Sequence, residues 1–406
     1  MKDPKLIMRT IMILGANETK VEAINYALDL GLRVVVVDQD VNAEGFRIPG
    51  VIPEYSSICD TDKILTIARK HNINAILTNS EIAMRTVGKV NSELGLPGIT
   101  EECAYIATNK SEQRRIFKEH NIPSPLFHTI TSEREFYTAL KDYSGKCVLK
   151  VVDSSGSTGI FMIENPTDLH TAQSAYDYCM GYSKNGVLVL EEYMEGPEVC
   201  VETLNFNGTC YPIQVTDQLK KLPPFFIDSG YSQPSLLSDS IVAEIKRVAV
   251  AANIAIGNTC GSSCTEIIVT TDGPKVVEIG ARLAGDYMTS KLVPMSTGVN
   301  MNKGTVKIAL GEEADIIPKW DRPVASRYYL KPVLGRIVDI KGVDEASSIK
   351  GVREVIIERG VGEIATEVRH SPDRLAVVIA QGDTVEESIR ICEEALDKIK
   401  FITVPV

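Results

Sequence analysis

The sequence predicts an α/β protein, with an N-terminal parallel-sheet domain of Rossmann-like type followed by two α+β parts. Three observations carry this. To about residue 100, wholly apolar strands alternate with amphipathic helices. From 101 to 310 the pattern changes to strand–turn–strand units with helices between them. From 311 to 406 it is mixed again. Strands that are apolar throughout and separated by helices need a sheet covered on both faces, which is a parallel sheet. The chain has 406 residues, 44% hydrophobic and 24% charged, an ordinary globular composition.

The elements follow in order. TIMILGANE (10–18) reads as a buried strand ending in a glycine turn. VEAINYALDLG (21–31) reads as a helix stopped by Gly31, and RVVVVDQD (33–40) as a second strand. TDKILTIARKHNI (61–73) and NAILTNS (74–80) add a helix and a third strand. The turn G-A-N-E-T-K carries one glycine, against the three of a dinucleotide-binding fingerprint, although Gly15 and Asp38 stand near the usual places. TNKSEQRRIFKEHNIPSP (108–125) is a capped helix ending before two prolines. SDSIVAEIKRVAVAANI (238–254) is an amphipathic helix capped by Ser238 or Asp239. The last helix opens with the capping box Thr384-Val385-Glu386-Glu387.

Composition excludes some functions. A net charge of −11 argues against nucleic-acid binding, which needs a basic footprint. No apolar run approaches the roughly 20 residues of a membrane helix, and the N-terminus MKDPKLIMRT lacks a signal-peptide core. Nine cysteines without CxxC pairs point to free thiols in a reducing cytoplasm. Cys260 and Cys264 read as packed thiols. The five histidines show no metal spacing and read as mostly solvated.

The stretch VLKVVDSSGSTGI (148–160) reads as strand, polar loop, strand. A loop of Gly, Ser and Thr can turn several backbone N–H groups toward a phosphate, and Lys150 adds a point charge. It is not a P-loop, because the lysine precedes the glycines and a strand follows. Glu266 and Glu278 lie in the strands of one hairpin and are set among Ile and Val residues, where a carboxylate needs a partner. Carboxylates on one face suit Mg²⁺. The register decides: a two-residue turn at Asp272-Gly273 puts them on opposite faces, and a three-residue loop, Asp272 to Pro274, makes them diagonal neighbours on one face.

Taken together, these motifs resemble the ATP-grasp superfamily in its carboxylate–amine ligase branch. That branch includes the L-amino acid ligases, the carbamoyl phosphate synthase large subunit and the formate-dependent glycinamide transformylase. The resemblance covers essentially the whole chain. Its T-N/D-K lysine is matched by Lys110. Its K-P-x-D-x-x-G-S-x-G loop is matched by Lys150, Asp153, Gly156, Ser157 and Gly159, with Val151 in place of proline. Its hinge pattern E-E-x-x-x-G-x-E is matched by Glu191, Glu192, Tyr193, Met194, Gly196 and Glu198. Its metal motif E…E-x-N-x-R is matched by Glu266, Glu278 and Arg282, with Gly280 replacing the Asn.

The resemblance implies a pre-ATP-grasp domain over 1–100, an ATP-grasp domain over 101–310 with a lid at about 125–190, and a C-terminal part, 311–406, that completes the fold. It implies ATP bound by Lys110, Lys150, the loop Ser154, Ser155, Gly156, Ser157 and Gly159, and the hinge residues. It implies Mg²⁺, or Mn²⁺, on Glu266 and Glu278, with Arg282, Gly285 and Asp286 at the substrate. The expected reaction is ADP-forming carboxylate–amine (or carboxylate–thiol) ligation through an acyl phosphate, with Arg282 and Lys150 catalytic and the chain a homodimer. The expected partners are small carboxylates and amines, such as amino acids. A purine-pathway or carbamoyl-type enzyme and a nucleotide-sensing protein without turnover are the alternatives. Phe225, Phe226 and Tyr231, in LPPFFIDSGYSQPS (222–235), either line an apolar acceptor pocket or cap the core.

Overall fold

The structure is a computed structural model that describes residues 8–154, 156, 158–220 and 226–406. Its first sheet is parallel. Strands Thr10–Leu14, Arg33–Asp38, Val51–Tyr55 and Ala75–Thr78 lie in the order third, second, first, fourth. Ile11 to Leu14 and Val34 to Val37 are all buried, as strands covered on both faces must be. Val51–Tyr55 is a strand where the apolar pattern predicts none. It forms the sheet edge, the position that tolerates its Pro53. His71, on the helix Thr61–His71, is buried and bonded to Glu54 of that edge at 2.6 Å, so it is not the solvated residue expected.

A second, antiparallel sheet joins Phe127–Ile130, Leu188–Glu192, Cys147–Val151 and Ile160–Ile163 in that spatial order. Helices Glu133–Ala139 and Leu169–Tyr182 pack on it through Phe136, Ala172, Ala175 and Cys179. The largest sheet has eight strands. Its first half is Gly273–Gly280, Gly261–Thr270, Glu198–Phe206 and Thr209–Lys220. Beyond Asp228–Gln233 it takes in Val324–Tyr328, Ala376–Ala380 and Val352–Ile357 from the C-terminal part. Thr384 caps the helix Val385–Lys398 by accepting from the Glu387 N–H at 3.1 Å. Among the described residues no helix is long and apolar enough to cross a membrane.

One cysteine expectation fails. Cys200 and Cys264 form a disulfide, with Cα atoms 6.1 Å apart. They lie on neighbouring strands of the large sheet, where Cys264 pairs with Glu202 and Cys200 with Glu266. That places them within the span a disulfide needs. The seven other cysteines are free.

Candidate active site

The site lies where the parallel sheet, the Lys110–Glu119 helix, the loop after Val151 and the Gly261–Gly280 hairpin converge. A cavity of about 370 Å³ opens there, lined by Glu81, Lys110, Asp153, Ser154, Glu278 and Gly280 among others.

The hairpin departs from both registers the sequence allows. Its turn is Thr271-Asp272, since Thr270 pairs with Gly273. Continued regularly, that turn would set Glu266 against Val277. Instead Ile267 pairs with Val276 and Glu266 with Glu278, so Val277 is an extra residue, a β-bulge. The glutamates therefore stand directly opposite each other on one face, where Cβ atoms are about 4.5–5.5 Å apart. Arg114 donates to the carbonyl of Val277, and Gln113 bonds both the N–H and the C=O of Ile279 at 3.0 Å. The Lys110–Glu119 helix thus clamps the bulged strand.

The same helix starts at the site. Asn109 caps it by accepting from the Glu112 N–H at 3.2 Å. The Lys110 ammonium pairs with Glu278 at 2.8 Å and donates to the Ser154 carbonyl at 2.8 Å. Burial works to lower its pKa, but Glu278, Glu81 and Glu266 outweigh that and hold it above its ordinary value. Lys110 thus bridges the glutamate hairpin and the loop. Lys150 is 9% exposed, and its ammonium sits 2.8 Å from Glu191.

Glu191 needs a correction. Expected among the nucleotide contacts, it is fully buried between Lys150 and Arg114, with the Arg114 contact at 2.6 Å. Burial alone would raise its pKa, but the two cations pull it down to about 2. Both carboxylate oxygens are held inside the protein, so Glu191 holds Lys150 in place. Glu192 pairs with Lys275 at 2.9 Å. Tyr193 lies beneath Lys146 and against Phe226, and Met194 is buried. Glu198 opens its strand opposite Ile268 and Gln218.

In the loop, Ser154 Oγ donates to the Thr158 carbonyl at 2.7 Å. Gly159 has φ +69°, and a Cβ there would come within 2.5 Å of Val151. Val151, standing where proline is usual, therefore packs tightly against the loop's return. Among the described residues, Asp153 Oδ1 is buried without a hydrogen-bond partner. Ser155, Ser157 and Phe225 lie outside the described residues.

Arg282 bonds to Glu81, a residue of the first part of the chain that the motif reading missed, and to the Leu283 carbonyl at 3.0 Å. A Cβ at Gly280 would stand in ordinary van der Waals contact with Arg282 and Glu81, at 3.7 Å. Gly285 is exposed. Asp286 is the other residue expected at the substrate. It receives a two-pronged contact from Arg374 at 2.6 and 3.0 Å, and the Tyr231 hydroxyl at 2.7 Å. Its carboxylate, 27% exposed, ties the C-terminal part to the site. Tyr231, 2% exposed, is a core residue that supports this tie. No sequence signal links Asp286 to Arg374 across their 88-residue separation.

The donor set fits a hard divalent cation. The opposed carboxylates of Glu266 and Glu278, with Asp153 lining the cavity beside Glu278, offer oxygen ligands only.

Two parts of the chain match known families. Residues 143–290 match the ATP-grasp domain, and residues 327–404 match the L-amino acid ligase C-terminal domain 2. An uncharacterized protein of Sinorhizobium fredii, y4rH, is 24% identical over 88% of this chain and 72% of its own length. Alanine–anticapsin ligase of Bacillus subtilis is 23% identical over 63% of this chain. That alignment spans 58% of the ligase, less than two thirds of its length. The L-amino acid ligase of Bacillus licheniformis superposes with a TM-score of 0.84 at 20% identity, over 98% of this chain and 99% of that one. The chain thus carries an ATP-grasp domain and, after it, an L-amino acid ligase C-terminal domain.

Proposed function

We propose that this protein is an ADP-forming carboxylate–amine ligase that works through an acyl phosphate on amino acids or related small acids. The observation that carries the reading is the bulge at Val277, which sets Glu266 against Glu278 within reach of Lys110.

A carboxylate resists attack by an amine, because the nucleophile meets negative charge and a poor leaving group. One carboxylate oxygen attacks the γ-phosphorus of ATP, the bond to the bridging oxygen breaks, and ADP leaves. The amine nitrogen then attacks the acyl carbon, the C–O bond to phosphate breaks, and the nitrogen loses its extra proton. Such transfers ask the protein mainly for positioning and charge neutralisation.

Lys110 and Lys150 supply the positive charge beside the α- and β-phosphates, and Glu191 fixes the position of Lys150. The loop 153–159 covers the terminal phosphates and excludes water, which would hydrolyse an acyl phosphate. Glu266 and Glu278 would hold Mg²⁺, which when bound offsets charge on the phosphate oxygens. Arg282, kept in place by Glu81, orients the substrate carboxylate and stabilises the tetrahedral oxyanion. A phosphate-release screen of amino acids, singly and in pairs, with ATP and Mg²⁺ tests the reading. Release that requires a carboxylate substrate supports it, and release indifferent to every acid contradicts it.

A further inference from the structure

Three ligand-bearing side chains meet in the large sheet next to the glutamate pair, and the ligase reading uses none of them. Between the strands Glu198–Phe206 and Gly261–Thr270, Cys200 stands opposite Glu266 and Glu202 opposite Cys264. Residues two apart on a strand share a face, so all four point to the same side of the sheet. Ligand atoms of Cys200, Glu202 and Cys264 lie within 4.8 Å of one another. Among the described residues no other three His, Cys, Asp or Glu side chains come together so closely.

Glu202 is the unusual group. It is wholly buried. One of its oxygens accepts from the Thr216 hydroxyl at 2.9 Å, and among the described residues Oε1 has no hydrogen-bond partner. No lysine or arginine offsets its charge. The neighbours of the two cysteines are apolar, among them Met288 and Leu292. A carboxylate oxygen in such surroundings is costly unless something binds it. Beside two sulfurs, the group that would bind it is a cation.

We propose that Cys200, Cys264 and Glu202, once the disulfide is reduced, bind a thiophilic divalent cation of the Zn²⁺ class at a site of its own beside the Mg²⁺ pair. The site goes beyond the ligase reading and does not depend on it. Two sulfurs and one carboxylate are ligands that Zn²⁺ takes, whereas Mg²⁺ demands an octahedron of oxygens. Ligand atoms on a tetrahedral Zn²⁺ lie about 3.5–3.8 Å apart, from its bond lengths. Side-chain rotation on neighbouring strands, with the Cys200 and Cys264 Cα atoms 6.1 Å apart, reaches that spacing. Three protein ligands leave a fourth position for water. The disulfide and the ion exclude each other, because each uses both sulfurs. A dithiol reductant gives two electrons and two protons to the sulfurs and becomes a disulfide itself. Zn²⁺ then replaces the two thiol protons, which pass to water.

The test is equilibrium dialysis of the full chain against Zn²⁺ in excess Mg²⁺, with the protein either as the disulfide or reduced by a dithiol that is then removed. The reduced wild type should hold one Zn²⁺ more than the disulfide form. The seven other cysteines are free in both forms, so the difference isolates this pair. Cys200→Ser and Cys264→Ser should each weaken that ion more than about 100-fold, beyond the roughly 10- to 100-fold cost of residues that merely support a ligand. Glu202→Gln, which keeps a weaker oxygen ligand, should cost about 10- to 100-fold. Glu278→Gln should keep the ion. Disulfide and reduced forms that bind alike overturn the proposal, as does an unaffected Glu202→Gln. Zn²⁺ that survives both serine variants belongs to other cysteines, and Zn²⁺ lost in Glu278→Gln belongs to the glutamate pair. Either result overturns it too. If the serine variants do not fold, Cd²⁺ on the wild type decides: the ultraviolet absorption of a cadmium thiolate should grow by two sulfurs per chain on reduction, and no growth contradicts the site.

Discussion

Glu266 and Glu278 face each other across their hairpin because of one extra residue, Val277, whose carbonyl is held by Arg114. A regular hairpin with the same turn would put them on opposite faces. If the pair holds one ion, the two residues act as a unit. Glu278→Gln should cut activity on the order of 100- to 1000-fold, with Glu266→Gln somewhat milder. The double variant should be little worse than the worse single one. Steady-state kinetics of the three variants checks this. Additive losses, or full activity in EDTA, count against a shared ion.

Glu191 between Arg114 and Lys150 gives a pH prediction. Its pKa is depressed to about 2 by the two cations despite burial. A depressed acid stabilises the fold above its unfolded pKa, about 4.3, and loses that contribution as pH falls through the folded value. Wild-type stability should therefore drop from pH 5 toward 2 more steeply than that of Glu191→Gln. At neutral pH the variant should be about 3–5 kcal/mol less stable, because two buried cations lose their partner. Lys150→Met should be milder in stability, since Arg114 still holds Glu191, but should weaken ATP binding about 10- to 100-fold. Thermal melts across pH and nucleotide titrations read both.

Glu202 carries the opposite sign. It is wholly buried beside Cys264, with a Thr216 hydroxyl on one oxygen at 2.9 Å and no partner for the other. Burial raises its pKa to about 8. A raised acid contributes most below its unfolded pKa, and the contribution is lost as pH climbs through the folded value. Glu202→Gln should thus gain thermal stability over the wild type progressively from pH 5 to 8. A melting difference that stays flat over that range contradicts the assignment.

The parallel sheet was legible because its strands announce themselves: Ile11 to Leu14 and Val34 to Val37 are apolar without a break and buried without a break. Val51–Tyr55 was not, because an edge strand with Pro53 has no such pattern. The lysines and glutamates of the site were legible as motifs, but their partners were not. The contacts of Arg114 with Val277, Arg374 with Asp286 and Glu81 with Arg282 span 163, 88 and 201 residues. Local pattern has no reach over such distances. It therefore could not show that Glu191 and Asp286 are held by arginines, that a bulge sets the hairpin register, or that Lys20 lies buried beside Arg282.

The central claim is an acyl phosphate, and nucleotide chromatography with and without hydroxylamine tests it most directly. With a suitable carboxylate and no amine, ADP should appear slowly as water competes for the trapped intermediate. Hydroxylamine should speed its release and yield a hydroxamate. AMP as the main product, or ADP release independent of any carboxylate, would contradict the account.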